Sequence, residues 1–455
     1  MRPALIGLGL VAAGVLAAVF AEPLAPRVEL AGVTDTIGRG TPMRVVATDR
    51  GSGLADVEVR LVPEDGSPAL VLARQEFPRR GLLGSGVHET TLAPTLGANV
   101  PVPEGKATLE VRASDHSLLS ALRRWPRLTK EVMVDVTPPK LEVLGTGHDV
   151  RVGGSELLIA RVGGDAVSSG VQVGDLFFPA SSGVFKEPEL RTMLFALPAD
   201  MPDARPVVVA TDAAGNRREE PLKITVQPRK FADKTLPITD AFLQRKVPDL
   251  LSANGLPADG SLVDGYLRIN RDLRASTEAR IRELCSTPPG GPLWSGDDGG
   301  FLRMPGAALS GFADRRRYTR DGKVIDNQMH LGYDIASLKQ AQVPAAAAGR
   351  VRFTGPLGIY GNTVILEHGL GVFTLYGHLS EISTTEDADV KRGDFLGKTG
   401  DTGLAGGDHL HFSTMVQGIH VDPAPWWDRG WVGEHIFARL ANHPRPAPPT
   451  SEPAS

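Results

Sequence analysis

Cysteine is nearly missing from this chain: Cys285 is the only one in 455 residues. That excludes an intrachain disulfide framework and any zinc site built on cysteine pairs. It leaves the compartment open, because a secreted protein can simply do without the residue. An excess of one charge sign is missing too. A net charge of −4 gives no global basic footprint, which argues against nucleic acid as the main partner. Aromatics are sparse at 5%, whereas Gly (52) and Pro (36) are plentiful, the balance expected of many short strands and turns. The paired glycines Gly290-Gly291 and Gly299-Gly300 lack the following Lys-Ser/Thr of a P-loop, so they carry no phosphate site. One long apolar run stands out, Pro3 to Ala21 after Arg2, ending Val19-Phe20-Ala21-Glu22. A small-residue cleavage site after Ala21 fits a signal peptide, while a length near the ~20 residues that span a bilayer fits a retained anchor. Both readings imply export, and residues 1–21 are expected to be one or the other.

The length implies two to four domains. From Arg27 to Val136, alternating segments such as Met43-Arg-Val-Val-Ala-Thr48 and Val57-Glu-Val-Arg-Leu-Val62 read as half-buried strands. Pro138-Pro139 breaks the ladder, and a second β-rich block runs from 138 to 228. Its Thr137-Pro-Pro opening and Ala210-Thr-Asp-Ala-Ala-Gly-Asn216 ending resemble bacterial immunoglobulin-like modules, so two sandwiches in tandem are expected, with one composite β domain as the alternative. Residues 229–288 change character. Asp240-Ala-Phe-Leu-Gln and Asp264 to Leu284 read as helices, with Tyr266, Ile269, Leu273 and Ile281 near helical spacing. This is expected to be a helical linker, followed by a domain at 292–432 and a disordered Pro/Ser/Ala-rich tail from 444 to 455.

Six of the eleven histidines fall between His330 and His420. Three of them frame two short signatures: His330-Leu-Gly-Tyr-Asp334 and His409-Leu-His411. Imidazole and carboxylate together suit a catalytic zinc, which takes three protein ligands and keeps a fourth position open. His409 and His411, two apart, share a face only on a strand. His330 and Asp334 share a face on either a strand or a helix, and the surrounding β-branched, Gly-rich sequence favours strand or strand-edge loop. Around them stand Val343-Pro-Ala-Ala-Ala-Ala-Gly349-Arg-Val351, Tyr360-Gly-Asn-Thr-Val-Ile-Leu-Glu-His368-Gly, Thr374-Leu-Tyr-Gly-His378-Leu-Ser380 and Gly400-Asp-Thr-Gly403.

From about Ser310 to Trp427 these motifs, in this order, resemble the LytM/lysostaphin family of zinc peptidoglycan endopeptidases. The resemblance implies a mainly antiparallel β peptidase domain. It implies zinc on His330, Asp334 and His411, and acid–base or oxyanion roles for His378 and His409. The whole chain is then expected to be mainly β: two immunoglobulin-like modules, a helical linker and the peptidase. Peptidoglycan is the implied substrate and D-Ala to diaminopimelate cross-links in a periplasm the implied target. The β modules would serve as spacers or as docking sites for a cell-envelope partner. Two rivals remain: a non-catalytic relative that activates a cell-wall amidase, and an adhesion or scaffold protein.

The sequence departs from the family pattern in three places: Gly406-Gly-Asp408 before the last motif, Ser413 where Glu is common, and Ala313 where Gly is usual. Arg315-Arg-Arg317 reads as a solvated surface turn, with contact to an anionic substrate as the alternative. His368 reads as a turn histidine, His420 as ordinary, Asp408 as a loop cap and Asn362 as a turn or cleft amide. The hinge at Thr137-Pro-Pro139 suggests that upstream parts fold over the groove, so a chain beginning near Pro292 would cleave faster.

Overall fold

The computed structural model describes residues 25–444, apart from 81–83, 98–100, 118–119, 121–126 and 146. The signal or anchor segment and all of the tail beyond Pro444 lie outside the described residues. Among those described, no helix is long and apolar enough to cross a membrane. The protein is mainly β, and most of its strand pairs are antiparallel. It divides into two compact units. The first comprises Met1–Pro139, Asp165–Val167 and Ala210–Arg218, and the second Lys140–Gly164, Ser168–Val209 and Glu219–Ser455.

In the first unit, strands Arg27–Ala31, Arg44–Thr48 and Glu89–Leu92 form one sheet. Thr36–Ile37, Arg127–Val134, Gly105–Asp115, Leu54–Pro63 and Leu70–Glu76 form a second. Alternation in Leu54–Pro63 sends Val59 and Leu61 inward, where they meet Val45, Leu109, Val111 and Val134 in one core.

The second unit begins with an antiparallel sheet of Leu141–Leu144, Ser155–Val162 and Leu190–Ala196. Glu156 on its middle strand is fully buried, where it pairs with Arg439 and meets His435 Nδ1 at 3.0 Å, both of the C-terminal helical segment. The functional half is an eight-stranded antiparallel sheet. Its order is Ala307–Ser310, Tyr333–Ala336, Leu410–Val416, Val372–Gly377, Asn362–Glu367, Gly349–Pro356 and Asp389–Val390, with Ile419–Val421 paired to Leu410–Val416. Beside it, Arg315–Arg320 and Lys323–Met329 form a hairpin. Asp321 and Gly322 turn that hairpin, both with positive φ (49° and 75°), the backbone of a tight primed turn.

The helical stretch packs as a wall of this unit. Helices α1 (Asp240–Ala253), α2 (Leu262–Arg268) and α3 (Arg274–Leu284) follow a strand, Asp233–Pro237, that pairs parallel with Arg315–Arg320. Sequence periodicity had no means of finding that strand, which is polar along most of its length. Ser261 and Asp264 close a capping box at the start of α2. Between α2 and α3 the expected single helix loosens into a π turn, Ile269–Leu273. Leu243, Val247, Tyr266, Ile269 and Ile281 enter the same core as Ile365, Phe373 and Met415 of the sheet and Ile359 of the turn Gly358–Tyr360. Each such side chain contributes roughly 1.5–3 kcal/mol by leaving water, so the helices stabilise the sheet that carries the histidines.

Candidate metal centre

Strand pairing brings the two signatures together. Asp334 in Tyr333–Ala336 is the register partner of His411 in Leu410–Val416. Across the other edge of that strand, His411 faces Gly377, so His378 arrives at the same end of the sheet. His378 takes a φ of 64°, a left-handed backbone that costs a non-glycine residue about 1–2 kcal/mol. Its N–H donates to the Tyr360 carbonyl at 2.7 Å and its Nδ1 to the Thr402 carbonyl at 2.8 Å, which holds the turn. His330 ends the Lys323–Met329 hairpin strand, and its N–H donates to the Asp314 carbonyl at 3.0 Å. Gly332 has no room for a side chain: a Cβ there would lie 2.6 Å from both His411 Nε2 and Ser413 Oγ.

Three ligand atoms meet in a near-equilateral triangle. His330 Nε2 lies 3.0 Å from Asp334 Oδ1 and 3.1 Å from His411 Nδ1, and the latter two are 3.0 Å apart. The partners behind the rings set their tautomers. His330 Nδ1 donates to the Gly311 carbonyl at 2.8 Å, leaving Nε2 with a lone pair. Ser413 donates its own proton to the Leu331 carbonyl at 2.8 Å, so its Oγ accepts from His411 Nε2 at 3.0 Å and leaves Nδ1 bare. Two lone pairs and a carboxylate oxygen thus converge, an arrangement that repels itself unless a cation sits between them. Ligand atoms about 2.0–2.1 Å from a tetrahedral zinc lie roughly 3.3 Å apart, so the triangle needs to open by only a few tenths of an ångström. The residues present fit a divalent metal.

Burial keeps the donors in the right state. His330, Asp334 and His411 are 4%, 8% and 3% exposed. Desolvation pushes the His330 pKa down and that of His411 to about 3, so both stay neutral. Burial would raise Asp334, but the imidazoles that face it hold its carboxyl well below the usual carboxylate range. His378 and His409 stand beside the triad with ring centres 4.9 Å apart. Desolvation, then the neighbouring His409 and His411, hold His378 low. His409 goes the other way: burial would lower it, but the hydrogen bond and charge of Asp334, 3.4 Å away, draw it up. Adjacent groups pushed in opposite directions are the material of an acid and a base.

All five expected site residues line one cavity of about 110 Å³. His368 does not: it is fully buried, tied to the Ala348 carbonyl and Thr374 Oγ1, and packed on Phe301. Asp408 accepts from Thr399 and the Gln340 N–H, a loop tie as expected. The backbone N–H of Asn362 donates to Thr402 Oγ1 and its carbonyl accepts from Leu379.

The arginine run is a correction. Arg315–Arg320 is a strand, so alternation turns the middle arginine inward, and Arg316 Nη2 meets Asp334 Oδ2 at 2.7 Å. His420 is not ordinary either. It pairs with Glu278 of α3 at 2.9 Å, Glu278 accepts from Tyr360 at 2.8 Å, and the Tyr360 ring lies 4.9 Å from that of His411. Only the period-two spacing of Arg316 offered a signal in sequence; Glu278 and His420 are 142 residues apart.

Residues 328–423 match the model of Peptidase family M23. The DD-carboxypeptidase/endopeptidase Mpg of Neisseria meningitidis serogroup B is 41% identical over 96 residues, which are 21% of this chain and 22% of that protein. The murein hydrolase activator NlpD of Salmonella dublin is 34% identical over 113 residues, 24% of this chain and 30% of that protein. The chain therefore spans less than a third of the length of these relatives. Among solved structures, a peptidase M23 crystal structure from Pseudomonas aeruginosa aligns over 60% of this chain and 93% of its own, at 21% identity and a TM-score of 0.37. The C-terminal part of the chain carries a LytM-type peptidase M23 domain.

Proposed function

We propose that the protein is a zinc endopeptidase that hydrolyses peptide cross-links of bacterial peptidoglycan. The observation that carries this reading is the convergence of lone pairs on a point beside two further histidines. His330 Nε2, Asp334 Oδ1 and His411 Nδ1 would hold the ion. When bound, it supplies Lewis acidity to water and to the scissile carbonyl. His378 donates Nδ1–H to Thr402 and His409 donates Nδ1–H to Gly407, both at 2.8 Å, so each keeps Nε2 for the cleft. From there they take the proton from the attacking water, steady the developing oxyanion and return a proton to the leaving amine. Arg316 keeps Asp334 ionised and turned so that Oδ1 faces the triad. In this reading the chain is exported to a periplasm, and the β modules at 27–136 and 138–228 act as spacers or docking sites.

The amidase-activator reading draws on the relative of that name. A complete, correctly tautomerised donor set favours hydrolysis, because an activator has no use for it. Zinc content of the purified full chain, measured beside muropeptide release from isolated sacculi, tests the proposal. One equivalent of zinc with cleavage supports it, and a zinc-loaded protein that releases nothing removes it.

A further inference from the structure

Arg274 stands where three cavities meet. It lines the cavity of the triad, a cavity of about 540 Å³ on the side of α1, and one of about 570 Å³ on the side of Leu331. The two larger spaces flank the triad, as a chain laid past it requires. Arg274 belongs to α3, outside the residues that match the peptidase family.

The π turn makes this arginine rigid. The Arg274 N–H reaches back to the carbonyl of Ile269, one residue further than in an α-helix. The Asn270 carbonyl is thereby available to side chains, and it accepts from Arg274 Nε at 3.2 Å and from Gln328 Nε2 at 2.9 Å. Arg274 Nη2 donates to Asn270 Oδ1 at 2.8 Å, and Asn270, fully buried, donates to Asp326 at 2.7 Å. Both partners of the guanidinium are neutral oxygens of one residue. Among the described residues no carboxylate lies within ion-pairing distance of Arg274. Its neighbours are spoken for: Arg316 pairs with Asp334, Arg271 with Asp326, and Glu278 with His420. A cation held in place at the wall of a peptide-sized groove, with no carboxylate in direct contact, is preorganised for an anion.

We propose that Arg274 anchors a free carboxylate of the substrate peptide and so selects carboxylate-bearing stems over amidated ones. This rests on the reading of the cleft as a peptide-hydrolysing site. The carboxylate would take the free Nη1 edge of the guanidinium while the scissile bond lies over the triad.

The test uses the metal-loaded full chain and two synthetic cross-linked stem peptides that differ only in a C-terminal D-alanine carboxylate or carboxamide. Calorimetric affinity and initial cleavage rate are measured for each. The wild type should favour the acid by on the order of 10- to 100-fold in affinity, the scale of one charge-assisted contact. Arg274→Gln should bring the acid down to the level of the amide, and Arg274→Lys should restore part of the preference. A wild type without acid preference, or an Arg274→Gln protein that keeps it or loses both peptides equally, overturns the anchor. Binding that depends on Arg274 without cleavage of either peptide would remove the hydrolase reading and keep the anchor. Cleavage of both at equal rates would do the reverse.

Discussion

Replacing Arg316 by Met removes one charge and keeps the length of the side chain, so it isolates what that charge does for the centre. Arg316 and Asp334 are both largely enclosed, with side-chain exposures of 18% and 12%, and their contact is a single 2.7 Å hydrogen bond between ions. Desolvation works against the Arg316 cation, but the charge and hydrogen bond of Asp334 together with Tyr318 outweigh it and keep its pKa raised. Taking one partner from a buried pair leaves the other charged and unpaired, which costs about 3–5 kcal/mol. Asp334 lines the cavity and keeps some contact with solvent, so the lower end, about 3 kcal/mol, is expected for the metal-free protein. The same change frees Oδ2 and lets the carboxylate rotate, which should weaken metal binding by about 10- to 100-fold, the scale of an outer partner of a ligand. Because an ion binds only the folded state, added zinc should recover part of the lost stability. Denaturant titration with and without zinc, and competition with a chelator for affinity, measure both quantities. If Arg316→Met matches the wild type in metal-free stability and in zinc affinity, Arg316 is a spectator and the account of Asp334 is wrong.

His330→Ala, Asp334→Ala and His411→Ala should each lose bound zinc on gel filtration. His378→Ala and His409→Ala should keep it and lose at least ~10²-fold in cleavage rate; full zinc in His411→Ala would refute the ligand set. Burial pushes the His368 pKa to about 4, against about 6.5 in an unfolded chain. The folded state therefore excludes a proton that the unfolded state binds, so this contribution to stability is intact above pH 6.5 and fades as pH falls to 4. The loss at pH 5 should be about 2 kcal/mol. His368→Gln should flatten the denaturation midpoint between pH 7 and 5, and an unchanged slope would count against the assignment. A chain starting at Pro292 loses Leu243, Val247, Tyr266, Ile269 and Ile281 from the shared core, so it should unfold without a cooperative transition by calorimetry. Faster cleavage by a well-folded protein of that length would instead support the covering role expected from the hinge.

What the sequence made legible about the centre is what is local in the chain. The spacings within His330–Asp334 and His409–His411 put their side chains on common faces before any strand is paired, and register then has only to align two short segments. The departure at Ala313 has a local cause as well. Its φ of 59° is the left-handed region where Gly is free, and its N–H holds the His330 carbonyl at 2.7 Å. What stayed hidden is long-range or depends on phase. Three consecutive arginines look alike until one knows that they form a strand, after which period two selects Arg316. The helical stretch read as a linker because its charges dominate the pattern, yet a narrow apolar stripe was enough to bury it against the sheet. Arg274 needed more still: its pose depends on a π turn, which shifts the backbone ladder by one residue without changing which side chains are apolar. A hydrophobic periodicity records faces and is blind to that shift. Residues poised by irregular backbone are therefore the ones a pattern misses, and in this cleft Arg274 is one of them.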